Sequence, residues 1–317
     1  MDSGPVLVAT EADDQTADMV ITELNQRAVP VVRFNPADIG EDLTISARFG
    51  TCPAAPAGQV RTPSGAIDLV GVRSVYWRRP TRPAFERLSE PDARFSVAQV
   101  RHGLGGVLYA LPHCRYVNHP LRNFEAEHKP LQLAVAQRMG FRVPPTLISN
   151  RLDDARAFIT AHGDVVYKAL RWTPYRKGSV GLTTWTEPVA ADELDESVTA
   201  VPHLFQARVD KVADVRVVVV GSRVFLVRIE SGLLDWRKDY SALRYSVARL
   251  PGALEAALVA YLEHFGLSGG SFDLVIDRAG DFHWLELNPN GQWGWLVEET
   301  GLPLIGAFAD LLVQGES

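Results

Sequence analysis

The feature that most limits what this chain can fold into is a carboxylate set inside an apolar strand. Ser271-Phe-Asp273-Leu-Val-Ile276 is followed by the polar break Asp277-Arg-Ala-Gly280 and then by Asp281-Phe-His-Trp284-Leu-Glu286-Leu-Asn288-Pro-Asn290. Two apolar runs joined by turn residues read as a hairpin. Alternate residues of a strand share a face, so Glu286 and Asn288 point the same way. A turn of four residues, Asp277–Gly280, would set Ile276 opposite Asp281 and Asp273 opposite Trp284, on the face of Glu286. A five-residue turn would carry Asp273 to the other face, so the register decides whether the three side chains converge. Glu286 lies between Leu285 and Leu287 and beside Trp284, and a buried carboxylate needs a partner. Two carboxylates and an amide oxygen are hard ligands, suited to Mg²⁺ carrying the phosphates of a nucleotide. The ordinary alternative is a solvated strand face.

Cations elsewhere suit the same ligand, since a triphosphate needs charge-assisted donors. Lys168 interrupts the apolar run Val165–Leu170, where lysine is disfavoured. Lys129 opens a helix, where a cation opposes the macrodipole unless an anion is near. Arg216 follows Asp214 in a strand, and Arg237 lies in the polar loop Asp235-Trp-Arg237. Taken singly, each reads equally as a surface cation or an exposed ion pair.

The rest of the chain reads as α/β. Pro5–Thr10 is a buried-strand candidate, Asp13–Gln26 has helical apolar spacing, and Ala28–Phe34 is β-branched up to the turn at Asn35-Pro36. Strand, helix, strand begins a doubly wound sheet. Further strands are expected at Leu43–Phe49, Ala66–Leu69 and Val72–Trp77, and no Gly-x-Gly-x-x-Gly follows the first strand, so a dinucleotide site is unsupported. Helices are expected over Val97–Leu111 and His128–Met139, the second closed by Gly140. Tyr116–Pro120 reads as a junction, Thr146–Ser149 as a strand, and Asp153–Thr160 as a helix capped by Asn150. Arg171–Gly181 is a cationic loop with Arg171, Arg176, Lys177 and Gly178. A strand at Leu204–Val209 precedes the hairpin Val215–Val220 and Arg223–Ile229 around Gly221-Ser222. Helices at Gly252–Phe265 and Ile305–Val313 complete the reading.

At 317 residues the chain is long enough for two or three structural units, and 46% apolar with 22% charged residues is ordinary for a globular protein. A formal charge of −6 argues against a nucleic-acid partner. No apolar stretch approaches the roughly 18 residues of a membrane span, and the start lacks the basic-then-apolar pattern of an export signal. Two cysteines, Cys52 and Cys114, suggest no disulfide framework and fit the reducing cytoplasm.

In their order along the chain, these residues resemble the ATP-grasp superfamily. More narrowly, the chain resembles the ATP-grasp ribosomal peptide maturases, or graspetide synthetases, of the actinobacterial branch, which crosslink microviridin-like precursor peptides. The resemblance rests on Ser74-Val-Tyr-Trp-Arg-Arg-Pro80, Val117-Asn-His-Pro120, Lys129-Pro-Leu-Gln-Leu133, Val143-Pro-Pro-Thr146, Leu204-Phe-Gln-Ala-Arg-Val-Asp-Lys211, Asp214-Val-Arg216, Asp235-Trp-Arg237 and Leu285-Glu-Leu-Asn-Pro-Asn-Gly-Gln-Trp293.

The resemblance implies an ATP-grasp fold with an N-terminal Rossmann-like domain over 1–117, a central domain over 118–203 and a C-terminal domain over 204–317. It implies Mg²⁺ on Asp273, Glu286 and Asn288, with ATP held by Lys129, Lys168, Arg216 and the hinge residues Gln206, Ala207 and Val209. Lys168, Arg216 and Arg237 would take the catalytic part. A side-chain carboxylate of the precursor would become an acyl phosphate, which a Ser or Thr hydroxyl or a Lys amine would attack, giving a macrolactone or macrolactam. Ala207 stands where relatives often carry Glu, so the adenine contact there would fall to the backbone. Ala169 after Lys168, where Pro is expected, should be neutral. Arg78 and Arg79 are expected to touch an acidic core peptide, and the assembly is expected to be a homodimer. Two other readings keep the residues but change the outcome: a ligase joining a free amino acid to a peptide or metabolite, and a non-catalytic nucleotide- or peptide-binding module.

Overall fold

Val6–Ala9 is buried along its whole length, as a central parallel strand should be. The first sheet forms around it in the order Val31–Phe34, Val6–Ala9, Ser74–Trp77, Arg115–Val117, with every pair parallel. The structure is a computed structural model that describes residues 4–50, 56–171, 173, 175–177 and 180–314. Helix Gln15–Gln26 starts at Asp14, whose carboxylate accepts from the Ala17 amide. The other face of the sheet packs on helix Glu90–Tyr109 and on an antiparallel sheet of Thr44–Arg48, Ala57–Thr62 and Gly65–Asp68. That long helix begins seven residues before the expected Val97, because Ser89 caps it and Pro91 sits in its first turn. Arg115–Val117 occupies the expected junction as the fourth parallel strand. Asn118 then ties the linker to the far sheet, donating to Gly269 O at 2.9 Å and accepting from the Ser268 amide at 2.7 Å.

A second, antiparallel sheet has the order Glu187–Pro188, Val165–Lys168, His203–Ala207, Thr146–Ser149, and is covered by helix Leu152–His162. By its pairing, His203–Ala207 belongs with this sheet and not with the last third of the chain. Asn150 is not the helix cap: Arg151 holds that position, and the Asn150 amide donates to Thr199 O at 3.2 Å. The cationic loop contains a short hairpin, Tyr175–Lys177 with Val180–Leu182, while Gly178 lies outside the described residues.

The third sheet is antiparallel, in the order Arg244–Ala248, Arg223–Glu230, Lys211–Val220, Gly269–Asp277, Phe282–Asn288. Period two divides its long strand. Val215, Val217 and Val219 face helices Lys129–Arg138 and Gly252–His264. Val218 and Val220 face helix Gln15–Gln26 and the closing helix Leu304–Gln314, so the first and third sheets share one core. Asp214 and Arg216 continue that second face beyond the packed region, and Asp214 lines a cleft there. Trp293 stacks on Phe308 at 4.6 Å between the two sheets, a contact worth about 0.5–1.5 kcal/mol beyond its burial. Among the described residues no helix is long and apolar enough to cross a membrane. Cys114 is buried, and Cys52 lies outside the described residues.

Candidate active site

The hairpin that carries the acidic residues turns in five residues, not four. Ile276 pairs with Phe282, and the Asp277 carboxylate fixes the turn by accepting from the amides of Ala279 and Asp281, both at 2.9 Å. Gly280 takes a left-handed φ of 87°. Continued without interruption, this register would put Asp273 and Glu286 on opposite faces. A β-bulge intervenes: Leu274 pairs with Trp284 but Asp273 pairs with Glu286, leaving Leu285 as the extra residue. The turn length expected from sequence is therefore wrong, yet the side chains converge, because the bulge cancels the added turn residue.

Arg216 pairs across strands with Asp273, and Asp273 with Glu286, so the three form one row across adjacent strands. Arg216 Nη1 donates to both Asp273 oxygens at 2.6 and 2.7 Å. Lys129 Nζ lies 2.9 Å from Glu286 Oε2, the anion that a lysine at a helix start requires. Asn288 Nδ2 donates to Asp273 at 3.0 Å and to Glu286 at 3.4 Å. Among the described residues no three His, Cys, Asp or Glu side chains gather as a metal site. The donor set here is two carboxylates and an amide, and turning that amide over would present its oxygen beside both carboxylates. That chemistry fits Mg²⁺, which keeps several waters or phosphate oxygens in its shell. Arg216 Nε is buried with no partner among the described residues, a donor suited to an anionic ligand.

Asp273, Glu286 and Asn288 line a cleft of about 410 Å³ between the second and third sheets, with Arg216 buried behind Asp273. Lys168 Nζ enters from the second sheet and donates to Gln206 Oε1 at 2.7 Å; Gln206 in turn donates to Thr146 Oγ1 at 2.9 Å. Ala207 and Val209 line the same cleft. The Ala207 amide is already bonded to Pro145 O at 2.8 Å, so it is not open to a ligand. Arg237 is held by Asp235 at 2.7 Å. Lys211 contacts Asp214 at 2.6 Å, a pair whose place in the cleft the sequence reading did not anticipate.

Burial pushes the Lys168 ammonium down to about 8, with Lys129 and Arg237 adding to the effect and Glu286 opposing it. Burial would raise Glu286, but Lys129, Arg237 and Lys168 together hold it well below the usual carboxylate range. Asp273 is raised, by burial and by neighbouring Glu286 against the pull of Arg216. Burial takes Asp214 up to about 6 in spite of Lys211.

Arg78 requires a correction. It is 3% exposed, and its guanidinium is engaged by Asp14 at 3.2 Å, Gly291 O at 3.2 Å and Gln292 Oε1 at 2.9 Å. Its charge is therefore turned inward and not offered to a peptide. Gln292 O also accepts from Arg216 Nη2 at 3.2 Å, so this residue links the first sheet to the acidic row. The signal lay in the run Asn290-Gly-Gln-Trp293, which continues past the strand that carries Glu286 and Asn288. Gly291 permits the approach, since a Cβ there would lie 2.6 Å from Ser271 Cβ. Arg79 is half-exposed and 3.7 Å from Glu11.

No protein-family model and no curated protein matches the chain. Solved structures do. A Chryseobacterium gregarium RiPP-associated ATP-grasp ligase, in complex with ADP and a leader and core peptide, is 24% identical with a TM-score of 0.89, over 98% of this chain and 97% of that one. The macrocyclase MdnC bound with precursor peptide MdnA, from Microcystis aeruginosa, is 24% identical with a TM-score of 0.88, over 98% and 99%. The macrocyclase MdnB from the same organism is 28% identical with a TM-score of 0.83, over 98% and 100%. The fold is that of the ATP-grasp ligases.

Proposed function

We propose that the chain is an ATP-dependent carboxylate ligase that macrocyclises a ribosomally made precursor peptide. The observation that carries this reading is the row Arg216–Asp273–Glu286, whose two carboxylates line one cleft together with Lys129, paired to Glu286, and Lys168 from the second sheet. Similarity over the whole chain to ligases solved with ADP and with leader, core or precursor peptides supports the substrate class. The ATP-grasp layout of three domains belongs to this proposal, with the cleft between the second and third.

The residues divide the work. Asp273, Glu286 and Asn288 would hold Mg²⁺, which when bound supplies Lewis-acid stabilisation of the phosphates. Lys129, Lys168 and Arg216 bind the phosphates and stabilise charge on the group in transfer. The hinge from Gln206 to Val209 receives the adenine, with the Val209 amide as the donor we assign to it. A carboxylate oxygen of the peptide attacks the γ-phosphorus, the bond to the bridging oxygen breaks, and ADP leaves. A Ser or Thr hydroxyl, or a Lys amine, of the same peptide then attacks the acyl carbon. Phosphate leaves, and the nucleophile's proton goes to solvent or to the departing phosphate. Arg237, fixed by Asp235 at the cleft, is placed to counter charge on that phosphate, and Arg79 is the surface cation we retain for an acidic peptide.

The test is mass spectrometry of a candidate precursor, a short peptide rich in Ser, Thr, Asp and Glu encoded beside the enzyme's own gene, incubated with the enzyme, ATP and Mg²⁺. The expected product has lost one water per ring, with ADP and phosphate released in step. A gain of one residue mass with a free amino acid overturns the macrocyclase and keeps the ligase. No change of mass and no ADP overturns both.

A further inference from the structure

One side chain closes the open edge of the metal strand. Phe282–Asn288 is the outermost strand of its sheet, so its outward backbone groups have no neighbouring strand to pair with. Leu287, between Glu286 and Asn288, gives its amide proton to Gln132 Oε1 at 3.0 Å, and its carbonyl accepts from Gln132 Nε2 at 2.9 Å. A primary amide presents an acceptor and a donor side by side, as a peptide group does. Gln132 thus stands where one residue of a sixth strand would stand. It is 2% exposed. Nε2 also donates to Ala126 O at 2.5 Å, and the Gln132 carbonyl accepts from Tyr261 Oη at 2.9 Å, so its own position is fixed from two sides.

The other outward anchor on this strand is the Trp284 amide, which donates to Arg142 O at 2.8 Å. In an unbroken strand, outward groups recur every second residue. Anchors at 284 and 287 are three apart, which only the extra residue Leu285 permits. The pair therefore selects the bulged register, and that register sets Glu286 opposite Asp273. Lys129, one helical turn before Gln132, meets the Glu286 carboxylate itself. A single turn of helix Lys129–Arg138 thus fixes both the backbone and the carboxylate of the metal strand.

We propose that Gln132 is a positioning residue for the metal–nucleotide site, a register lock that acts through the Leu287 backbone. This rests on the reading of Asp273, Glu286 and Asn288 as the metal set. The experiment is a Mg²⁺ titration of ADP binding to the full chain by calorimetry, for the parent, Gln132→Leu and Gln132→Glu, with melting followed by circular dichroism. In the variants, half-saturation should need about 10–100-fold more Mg²⁺, the scale of lost outer-shell support for a metal ligand, and excess Mg²⁺ should restore ADP binding. A purely structural residue would not give that rescue. An unchanged Mg²⁺ midpoint in folded variants, or a loss that Mg²⁺ does not reverse, overturns the proposal. If neither variant folds, hydrogen exchange of the parent decides: the Leu287 amide should be as protected as the sheet interior, and edge-like exchange overturns the lock. ADP binding by the parent with no dependence on Mg²⁺ overturns the metal reading itself.

Discussion

Replacing Arg78 by Met separates a buried connector from a peptide contact. The substitution keeps the side chain's apolar bulk and removes the guanidinium. Asp14, whose side chain is 0% exposed, then loses its ionic partner; Gly291 O loses a donor, and Gln292 Oε1 keeps the one from Thr16. Removing one member of a buried pair costs about 3–5 kcal/mol. At about 2 °C per kcal/mol for a chain this long, the melting point should fall by about 6–10 °C. The pH dependence gives a sharper signature. Burial works to raise Asp14 in the parent, but Arg78 and the bonds from Thr10 and Ala17 hold it below the ordinary Asp value. Its contribution is therefore present above the unfolded pKa near 3.9, and is lost as pH falls through the lower folded value. In Arg78→Met the burial effect is no longer opposed by a cation, so the Asp14 pKa rises and stability is lost as pH increases through it. The gap between the two melting curves should narrow from pH 7 toward pH 4, and Asp14→Asn should recover part of the loss at neutral pH. If Arg78→Met melts with the parent and weakens only peptide binding, Arg78 faces the peptide and the connector reading is wrong.

Three further outcomes follow from the cleft. Glu286→Gln should abolish ATP turnover with the fold intact, since it removes a ligand charge and almost no volume; near-normal ADP release from a folded protein would refute the metal role. Lys168→Ala and Arg216→Ala should each weaken ATP binding or turnover at least about tenfold, the scale of one charge-assisted contact of roughly 1.5–3 kcal/mol; parent-like titrations would make them incidental cations. With Lys168 at about 8 in the nucleotide-free protein, phosphates beside it should raise its affinity for protons. ATP binding near pH 9 should therefore take up protons, seen as a buffer-dependent heat in calorimetry, and Lys168→Met should lose that uptake.

The parts legible in the sequence are those decided by neighbours along the chain. The Val215–Val220 and Arg223–Ile229 runs flank a two-residue turn, and the observed strands Lys211–Val220 and Arg223–Glu230 extend that hairpin without moving it. Gly140 follows its helix with φ of 80°, as a glycine stop should. The start of helix Glu90–Tyr109 was also written locally, in Ser89 and Pro91, but its exposed first half lacks the apolar spacing that announces a helix. The bulge at Leu285 was not legible, because its anchors are a main-chain oxygen and a side chain from residues 142 and 132, over a hundred positions away. Arg78 failed for the same reason: the sequence shows two adjacent arginines, and only the packing of three distant segments shows which is buried.

The charges in the cleft imply that metal and nucleotide bind jointly. Lys211 with Asp214 and Arg237 with Asp235 are neutral pairs. Arg171 with Glu127 is a third neutral pair, and Arg208 is exposed at the rim. Around the acidic row itself stand Lys129, Lys168 and Arg216 against Asp273 and Glu286, a net single positive charge from three cations and two carboxylates. In this state each carboxylate is already satisfied by a cation within 3 Å. A divalent ion arriving alone would have to displace Arg216 and Lys129 from those oxygens while adding two positive charges to a buried, already positive site, which Coulomb energy opposes. A triphosphate arriving with it reverses the balance, because the displaced guanidinium and ammonium groups find phosphate oxygens as new partners. Mg²⁺ alone should therefore bind weakly, and Mg²⁺ and ATP should each tighten the other by the same factor, since coupling between two ligands is reciprocal. Calorimetry of Mg²⁺ with and without ADP, and of ADP with and without Mg²⁺, measures both arms. Tight Mg²⁺ binding in the absence of nucleotide would show that the carboxylates are not held by Arg216 and Lys129 in solution, and would remove the basis for joint binding.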